Sequence, residues 1–208
     1  MLAALYAALS AASSVSAARR SRAGACATKP LLMPALAAFT IAASGDRARD
    51  MRLPAAGMAL SGLGDIALLG PESWFVPGMG AFAAAHACYI AALARGGAAR
   101  GVRPRVAAGY AALWAVMIAV LWRGLGALRV PVAVYSLLLV AMAVLASGRN
   151  RGAAAGGALF VASDALIACG LAGIRAVPGQ ESAVMPAYTA AQFLLAAGFL
   201  GAQEAPEG

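Results

Sequence analysis

The sequence predicts an all-α, polytopic membrane protein, a bundle of about eight transmembrane helices arranged as two parallel four-helix repeats. Composition is the first observation behind this fold class: 62% of the 208 residues are apolar and 12% are charged, whereas about 25% are charged in a typical soluble domain. The second is that the charges lie in short clusters between apolar runs of bilayer length. Eight such runs and their loops occupy the whole chain, so we expect a single membrane domain over residues 1–208.

Each apolar run approaches the roughly 17–25 residues that cross a bilayer. Irregular backbone cannot face lipid, so each run is expected to be helical. Proline marks several helix starts, at Pro30, Pro54, Pro131 and Pro186, where its missing N–H has no partner to lose. In the first run the positive charge follows the apolar residues, which favours a retained helix over a signal peptide. The runs cover 1–18, 30–44, 53–70, 75–94, 105–122, 131–147, 153–174 and 184–202.

The net charge of +8 does not indicate a nucleic-acid partner. The arginines stand singly or in small groups beside apolar runs, which suits contact with anionic lipid head groups. They are nearly balanced between the loops of the two faces, so the orientation stays open. The single His and the three cysteines, with Cys26 expected in a loop, lack metal-ligand spacing, and we predict no metal and no cofactor. The expected location is a bacterial inner membrane.

An internal repeat is the most informative longer pattern. Gly64-Asp65 and the apolar residues after it recur about one hundred positions later as Ser163-Asp164. The pattern predicts repeats over 1–104 and 105–208, related by an axis along the membrane normal, which would bring Asp65 and Asp164 face to face. Chance similarity between Ala-rich helices is the alternative. Residues on the neighbouring helices match in the same order, Pro30 with Pro131, Phe82 with Tyr188, and His86 with Gln192.

Polar side chains within the spans are functional candidates, because an ionisable residue there costs at least a few kcal/mol. Their depth along the helices places them in one half of the bilayer, with Lys29 at the rim, and predicts one polar cavity that opens to one side. A structural hydrogen bond is the alternative role for either Asp and for His86. Tyr135 alternatively serves as an interfacial aromatic, and Ser163 as a small packing residue. The candidate site residues are Lys29, Asp65, His86, Tyr89, Tyr135, Asp164, Tyr188 and Gln192.

An ordered set of these residues carries a family resemblance. It comprises Lys29-Pro30 and Pro34; Gly64-Asp65 and Leu68-Leu69; Phe75, Gly78, Phe82, His86 and Tyr89; Pro131-Val132 and Tyr135; Phe160, Ser163-Asp164 and Leu166; and Tyr188, Ala191-Gln192 and Leu194-Leu195. On this set the chain resembles the YhhN family, the lysoplasmalogenases of bacteria and animals. The resemblance implies hydrolysis of the vinyl ether bond of lysoplasmalogens to a fatty aldehyde and a glycerophospho-ethanolamine or -choline. The expected partners are the lysophospholipid substrate and membrane lipids.

The candidate residues suit this chemistry. Vinyl ethers hydrolyse by protonation of the β-carbon, and water then captures the resulting oxocarbenium ion. Two close carboxylates can share a proton, so we expect Asp65 and Asp164 to act as acid and base, in an order that the sequence leaves open. His86, Tyr188 and Gln192 are expected to orient water or the sn-2 hydroxyl, with Tyr89 and Tyr135 also on the substrate-binding side. Lys29 is expected to meet the phosphate.

Two other function classes fit parts of the pattern. A small proton-coupled transporter would also have a parallel repeat, with the Asp pair as its proton or substrate site. A structural membrane subunit would not need paired Asp residues. The hydrolase is favoured because polar residues occupy only one half of the bilayer, whereas carriers place them in both. Head-group preference and oligomeric state are open at this stage.

Overall fold

Eight α-helices make up most of the chain in the computed structural model, which describes residues 1–201. Short 3-10 helices at Gly45–Arg49, Glu72–Trp74, Ala98–Gly101 and Gly126–Leu128 precede four of them. No strand occurs within residues 1–201, and the predicted all-α class is confirmed. Residues 202–208 of the predicted domain lie outside the described part. The helices are α1 (Leu2–Ala18), α2 (Arg22–Ser44), α3 (Arg52–Ala67), α4 (Phe75–Arg95), α5 (Pro104–Leu121), α6 (Arg129–Ser147), α7 (Arg151–Leu171) and α8 (Gln180–Leu200).

Six segments, which cover all or most of α2 and α4 to α8, are long and apolar enough to cross a membrane. The other two helices are shorter, with 17 residues in α1 and 16 in α3. At 1.5 Å per residue α3 is roughly 24 Å long, less than the thickness of a bilayer core of about 30 Å. The polytopic helical architecture therefore agrees with the prediction, although only six of the eight helices are long and apolar enough to span a membrane.

Helix α2 begins earlier than the prolines suggest. Its N-cap is Ser21, whose hydroxyl accepts a hydrogen bond of 3.2 Å from the Gly24 N–H, so Pro30 lies inside the helix. The prediction that Pro30 starts this helix is wrong, and so is the expectation that Cys26 lies in a loop. Because Pro30 has no N–H, the helical bond to the carbonyl of Cys26 cannot form. Transmembrane helices tolerate such gaps because neighbouring groups satisfy the carbonyl.

Of the other three prolines predicted to start helices, one lies inside its helix and two lie in first turns. Pro186 also lies inside its helix, α8, which begins at Gln180, so the prediction of a helix start there is wrong. Pro54 and Pro131 lie in the first turns of α3 and α6, as predicted. In a first turn the backbone N–H has no intrahelical partner, and proline loses nothing there.

The chain divides into two compact units, Met1–Ala92 and the part from Leu93 onward. The division falls within α4 (Phe75–Arg95). The repeats over 1–104 and 105–208 and their parallel relation remain predictions.

In the first unit α2 packs against both α1 and α3. Two glycines of α3 form notches for aromatic rings of α4. A Cβ at Gly57 would lie 2.4 Å from Tyr89 Cε1, and one at Gly64 would lie 2.6 Å from the Phe82 ring. Only glycine admits the rings this closely, so these positions hold α4 against the helix that carries Asp65.

In the second unit α7 packs between α6 and α8, and α5 packs against α6. The contact between α7 and α8 is made backbone to backbone. A Cβ at Gly156 would lie 2.7 Å from the Leu195 N atom, and one at Gly198 would lie 2.7 Å from the Ala153 N atom. Gly152 has no such close neighbour on α8, where the nearest atoms are 3.8 Å from its added Cβ.

Candidate functional site

The first carboxylate, Asp65, lies in the last turn of α3 and forms an ion pair with Lys29 of α2. Lys29 Nζ is 3.6 Å from Asp65 Oδ1, and the two side chains are only 16% and 4% exposed. Since α2 begins at Arg22, Lys29 lies about 10 Å along the helix from its start. Lys29 thus lies inside α2 rather than before it, and its position at the rim of the cavity remains a prediction. Its ammonium faces Asp65, whereas the sequence predicts that it meets the substrate phosphate.

Two candidate residues of α4 lie side by side. His86 and Tyr89 are completely buried, and their ring centroids are 6.4 Å apart with the planes tilted by 57°. Their spacing of three residues puts them on one helical face. Tyr89 also fills the notch at Gly57, so its ring contributes to the packing of α4 on α3.

Tyr6 of α1 is a neighbour of this site that the sequence analysis did not include. It is only 3% exposed, and α1 packs against α2, the helix that carries Lys29. An aromatic residue with a hydroxyl, placed in a helix made mostly of Ala, Ser and Leu, was the available signal.

The second carboxylate, Asp164, is half-buried on α7 and accepts a hydrogen bond from a neutral donor. The Tyr135 hydroxyl, from α6, donates to Asp164 Oδ2. This bond joins two of the candidate residues, one from α6 and one from α7. Tyr135 therefore does more than sit at an interface, because its polar end is directed to the carboxylate.

Candidate residues of α8 lie in the same unit. Gln192 Nε2 donates to the Tyr188 hydroxyl over 3.4 Å, and both side chains are buried. The Tyr188 ring packs edge-on against Phe160, with centroids 5.5 Å apart. Phe160 and Asp164 are four residues apart and share a face of α7, so this aromatic contact lies on the carboxylate's side of the helix.

Ser163 also has a defined role in this unit. Its hydroxyl, completely buried, donates to the Val184 carbonyl of α8 over 3.1 Å. Ser163 thus ties α7 to α8 immediately beside Asp164, and is more than a small packing residue.

The two units therefore each hold one carboxylate with its own partner, a lysine for Asp65 and a tyrosine for Asp164. The meeting of the two carboxylates remains a prediction. Within residues 1–201, no cluster of three or more His, Cys, Asp or Glu side chains could hold a metal ion.

Comparison with known proteins agrees with the resemblance found in the sequence. The model of the YhhN family matches residues 24–199, which include every candidate site residue from Lys29 to Gln192. The chain belongs to the YhhN family. It is similar to lysoplasmalogenases from Mycobacterium bovis and Mycobacterium tuberculosis, each 36% identical over 191 aligned residues that cover 83% of this chain and 69% of the relative.

No solved structure matches the chain. The family match begins after α1, so Tyr6 lies outside it. Together with the six apolar segments, membership of the family identifies an integral membrane protein.

Proposed function

We propose that this protein is a lysoplasmalogenase of a bacterial inner membrane. In this proposal it hydrolyses the vinyl ether bond of a lysophospholipid to a fatty aldehyde and a glycerophospho-ethanolamine or -choline. The observation that carries the proposal is the 36% identity, over 83% of the chain, to two proteins named lysoplasmalogenase. The two carboxylates, with their different partners, support an acid–base route.

The reaction needs one proton donor and one anion. A proton adds to the β-carbon of the C=C bond, and the positive charge moves onto the α-carbon and the ether oxygen. Water then adds to the α-carbon and loses a proton, which gives a hemiacetal. The hemiacetal breaks its C–O bond to the glycerol oxygen, which takes up a proton, and the α-carbon becomes the aldehyde. One water molecule is consumed, and the proton donor is regenerated.

Asp164 is the better candidate for the acid. Its Oδ2 accepts a hydrogen bond from the Tyr135 hydroxyl, a neutral donor that stays in place whether Asp164 is charged or protonated. A neutral phenol partner supplies no positive charge that would have to be separated from a carboxylate when Asp164 is protonated. Half-burial would leave this group within reach of a substrate between helices.

Asp65 is the better candidate for the anion. Lys29, 3.6 Å away, balances its negative charge in a site with little solvent exposure. A carboxylate held in this way can stabilise the oxocarbenium ion and accept the proton of the attacking water. Lys29 then acts through Asp65, in addition to the phosphate contact that its charge alone predicts.

The remaining candidates have binding roles in this proposal. The Gln192–Tyr188 pair presents amide and hydroxyl groups that suit the sn-2 hydroxyl or a water molecule. The imidazole of His86 can likewise bind a hydroxyl group or a water molecule, and the Tyr89 ring lies beside it on α4. Tyr135 orients the acid.

The direct test is aldehyde release from lysoplasmenyl-ethanolamine by the purified protein in detergent. The matched substrate is the saturated 1-O-alkyl analogue, which has no double bond to protonate and should release nothing. In D2O, deuterium should appear on the carbon next to the aldehyde, because that carbon is the former β-carbon. Asp50→Asn, an exposed acidic residue between α2 and α3, is the control variant and should keep full activity.

Two outcomes would contradict the proposal. Equal cleavage of the saturated ether would exclude a vinyl-ether mechanism. The transporter would be favoured if the protein left lysoplasmalogen unhydrolysed and proteoliposomes containing it took up a solute together with protons. That uptake would have to depend on Asp65 and Asp164.

A further inference from the structure

A basic cavity of about 850 Å³ lies at one end of the second unit, where α5 and α7 begin and α6 ends. Four arginines line it, from the segment before α5, the turn between α6 and α7, and the start of α7, and among residues 1–201 no acidic residue lines it. The arginines are Arg100, Arg103, Arg149 and Arg151.

The floor of this cavity is built by two loops in direct backbone contact. A Cβ at Gly101 would lie 2.3 Å from the Gly148 carbonyl oxygen, and one at Gly148 would lie 2.2 Å from the Ala98 carbonyl oxygen. No residue with a side chain fits at either position without displacing backbone. The two loops, and the arginines on them, therefore have a fixed spacing.

Arg149 also stabilises this arrangement, through two hydrogen bonds to backbone carbonyls. Its Nη1 donates to the Gly96 carbonyl over 3.2 Å and its Nη2 to the Gly201 carbonyl over 3.0 Å. Carbonyl oxygens carry no formal charge, so these bonds orient the guanidinium without neutralising it. Its Nε is buried with no hydrogen-bond partner among the described residues.

Helix ends add to the positive potential. The N-terminus of α5, with Arg103 as N-cap and Pro104 at its first position, has no side-chain cap. Residues of the first turns of α5 and α7 line the cavity, and the positive end of a helix dipole favours an anion. In α7 the Ala153 N–H already donates to the Asn150 side chain. The end of α6 contributes the opposite sign at the same cavity.

We propose that this cavity is a binding site for a phosphate monoester or diester, distinct from the proposed active site. Arginine forks match phosphate oxygens in pairs, and the volume is within the range of about 300–1,000 Å³ found for small-ligand pockets. Helix ends of membrane spans also lie at the depth of lipid phosphates, so an anionic lipid head group and a free phosphate are the two sources of this chemistry.

The cavity is far from the Tyr135–Asp164 pair. Arg151 begins α7 and Asp164 lies about 20 Å further along the same helix axis. Tyr135 is near the start of α6, whereas the cavity is at its end. The site therefore stands whether or not the proposed hydrolase activity is correct.

The experiment compares two double variants with the same charge change. In R100Q/R103Q both substitutions line the cavity, and in R123Q/R175Q both are exposed residues of the second unit outside it. Retention of phosphatidylglycerol is measured by native mass spectrometry after reconstitution in phosphatidylcholine nanodiscs with a minor fraction of phosphatidylglycerol. Inorganic phosphate is the second probe, measured by its effect on thermal unfolding in detergent.

We expect R100Q/R103Q to weaken retention of the ligand by at least about tenfold, since each lost charge-assisted hydrogen bond is worth a factor of that size. R123Q/R175Q should change it by less than about twofold, as exposed charges contribute little. If phosphatidylglycerol is retained and phosphate has no effect, the ligand of the cavity is a lipid head group. If phosphate stabilises the wild type but not R100Q/R103Q, the ligand is a free phosphate.

Equal losses in the two double variants would overturn the proposal, because general surface charge would then explain the binding. No retention of either probe by the wild type would also overturn it. R149Q is a further variant that should lose binding, but its bonds to Gly96 and Gly201 link it to the fold. R100Q/R103Q decides the outcome if R149Q does not fold.

Discussion

The two units hold their carboxylates in different ways. Asp65 is buried and faces the ammonium of Lys29, whereas Asp164 is half-buried and accepts a hydrogen bond from the phenol of Tyr135. A repeat that carries the same residue at matched positions would give two equal groups, but the partners differ in charge. The difference teaches that sequence symmetry between two acids does not imply the same role for each, and it is the basis for assigning Asp164 as acid and Asp65 as anion.

The largest expected effect comes from the two carboxylates themselves. Asp65→Asn and Asp164→Asn should each lower vinyl ether hydrolysis by at least about a hundredfold, the range of a general acid or base. If the two groups act in one step, the double variant should be scarcely worse than either single one. The measurement is aldehyde release by folded, purified variants, with Asp50→Asn as control.

Retention of more than about a tenth of the wild-type rate by either Asn variant would exclude that residue as acid or base, since a tenfold loss is only about 1.4 kcal/mol of barrier. Fully additive losses in the double variant would instead show that the two groups serve separate steps.

Variants at Lys29 test the role of Asp65 without changing either carboxylate. Lys29→Met removes the cation beside Asp65 and should lower kcat by roughly tenfold to a hundredfold, because a buried carboxyl group without a cation nearby favours its protonated form, which cannot act as the anion. Lys29→Arg keeps the charge and should keep most of the activity. Steady-state kinetics give the split between kcat and KM.

A change in KM instead of kcat would give Lys29 a different role. If KM rises while kcat holds, Lys29 contacts the substrate phosphate, as the sequence alone suggested, and the ion pair with Asp65 is incidental to the reaction.

Tyr135→Phe tests the neutral partner of Asp164. It removes one hydrogen bond and keeps the ring, so kcat should fall by about tenfold, less than for Lys29→Met. The pH profile of kcat should move only in Tyr135→Phe and not in a matched variant, Tyr110→Phe, whose phenol lines the basic cavity. An unchanged kcat and pH profile for Tyr135→Phe would mean that the bond to Asp164 is structural only.

The helices were largely predictable from the sequence, while the partners of the carboxylates were not. Apolar runs located all eight helices because bilayer-length hydrophobicity is a local property. The start of α2 was missed because Pro30 has the sequence signature of a first turn, whereas Ser21 supplies the cap. The Lys29–Asp65 pair joins α2 to α3, and hydrophobic periodicity carries no information about which polar groups meet across two helices.

The smallest expected effects concern the glycines that hold the helices, and here too the two units differ. The notch at Gly57 receives a side chain, the Tyr89 ring, at 2.4 Å from an added Cβ, whereas Gly156 meets the backbone of α8, with the Leu195 N atom at 2.7 Å. A ring can tilt, but a helix backbone must move as a whole. We therefore expect Gly156→Ala to destabilise the protein by about 1–3 kcal/mol and Gly57→Ala by less, following the cost of overpacking.

Gly152→Ala is the matched control, because its nearest neighbours on α8 are 3.8 Å away and alanine favours the helix by up to about 1 kcal/mol. Thermal unfolding in detergent measures all three variants. A Gly57→Ala effect larger than that of Gly156→Ala would mean that the Tyr89 ring is held as rigidly as backbone, and that the first unit is the more tightly packed of the two.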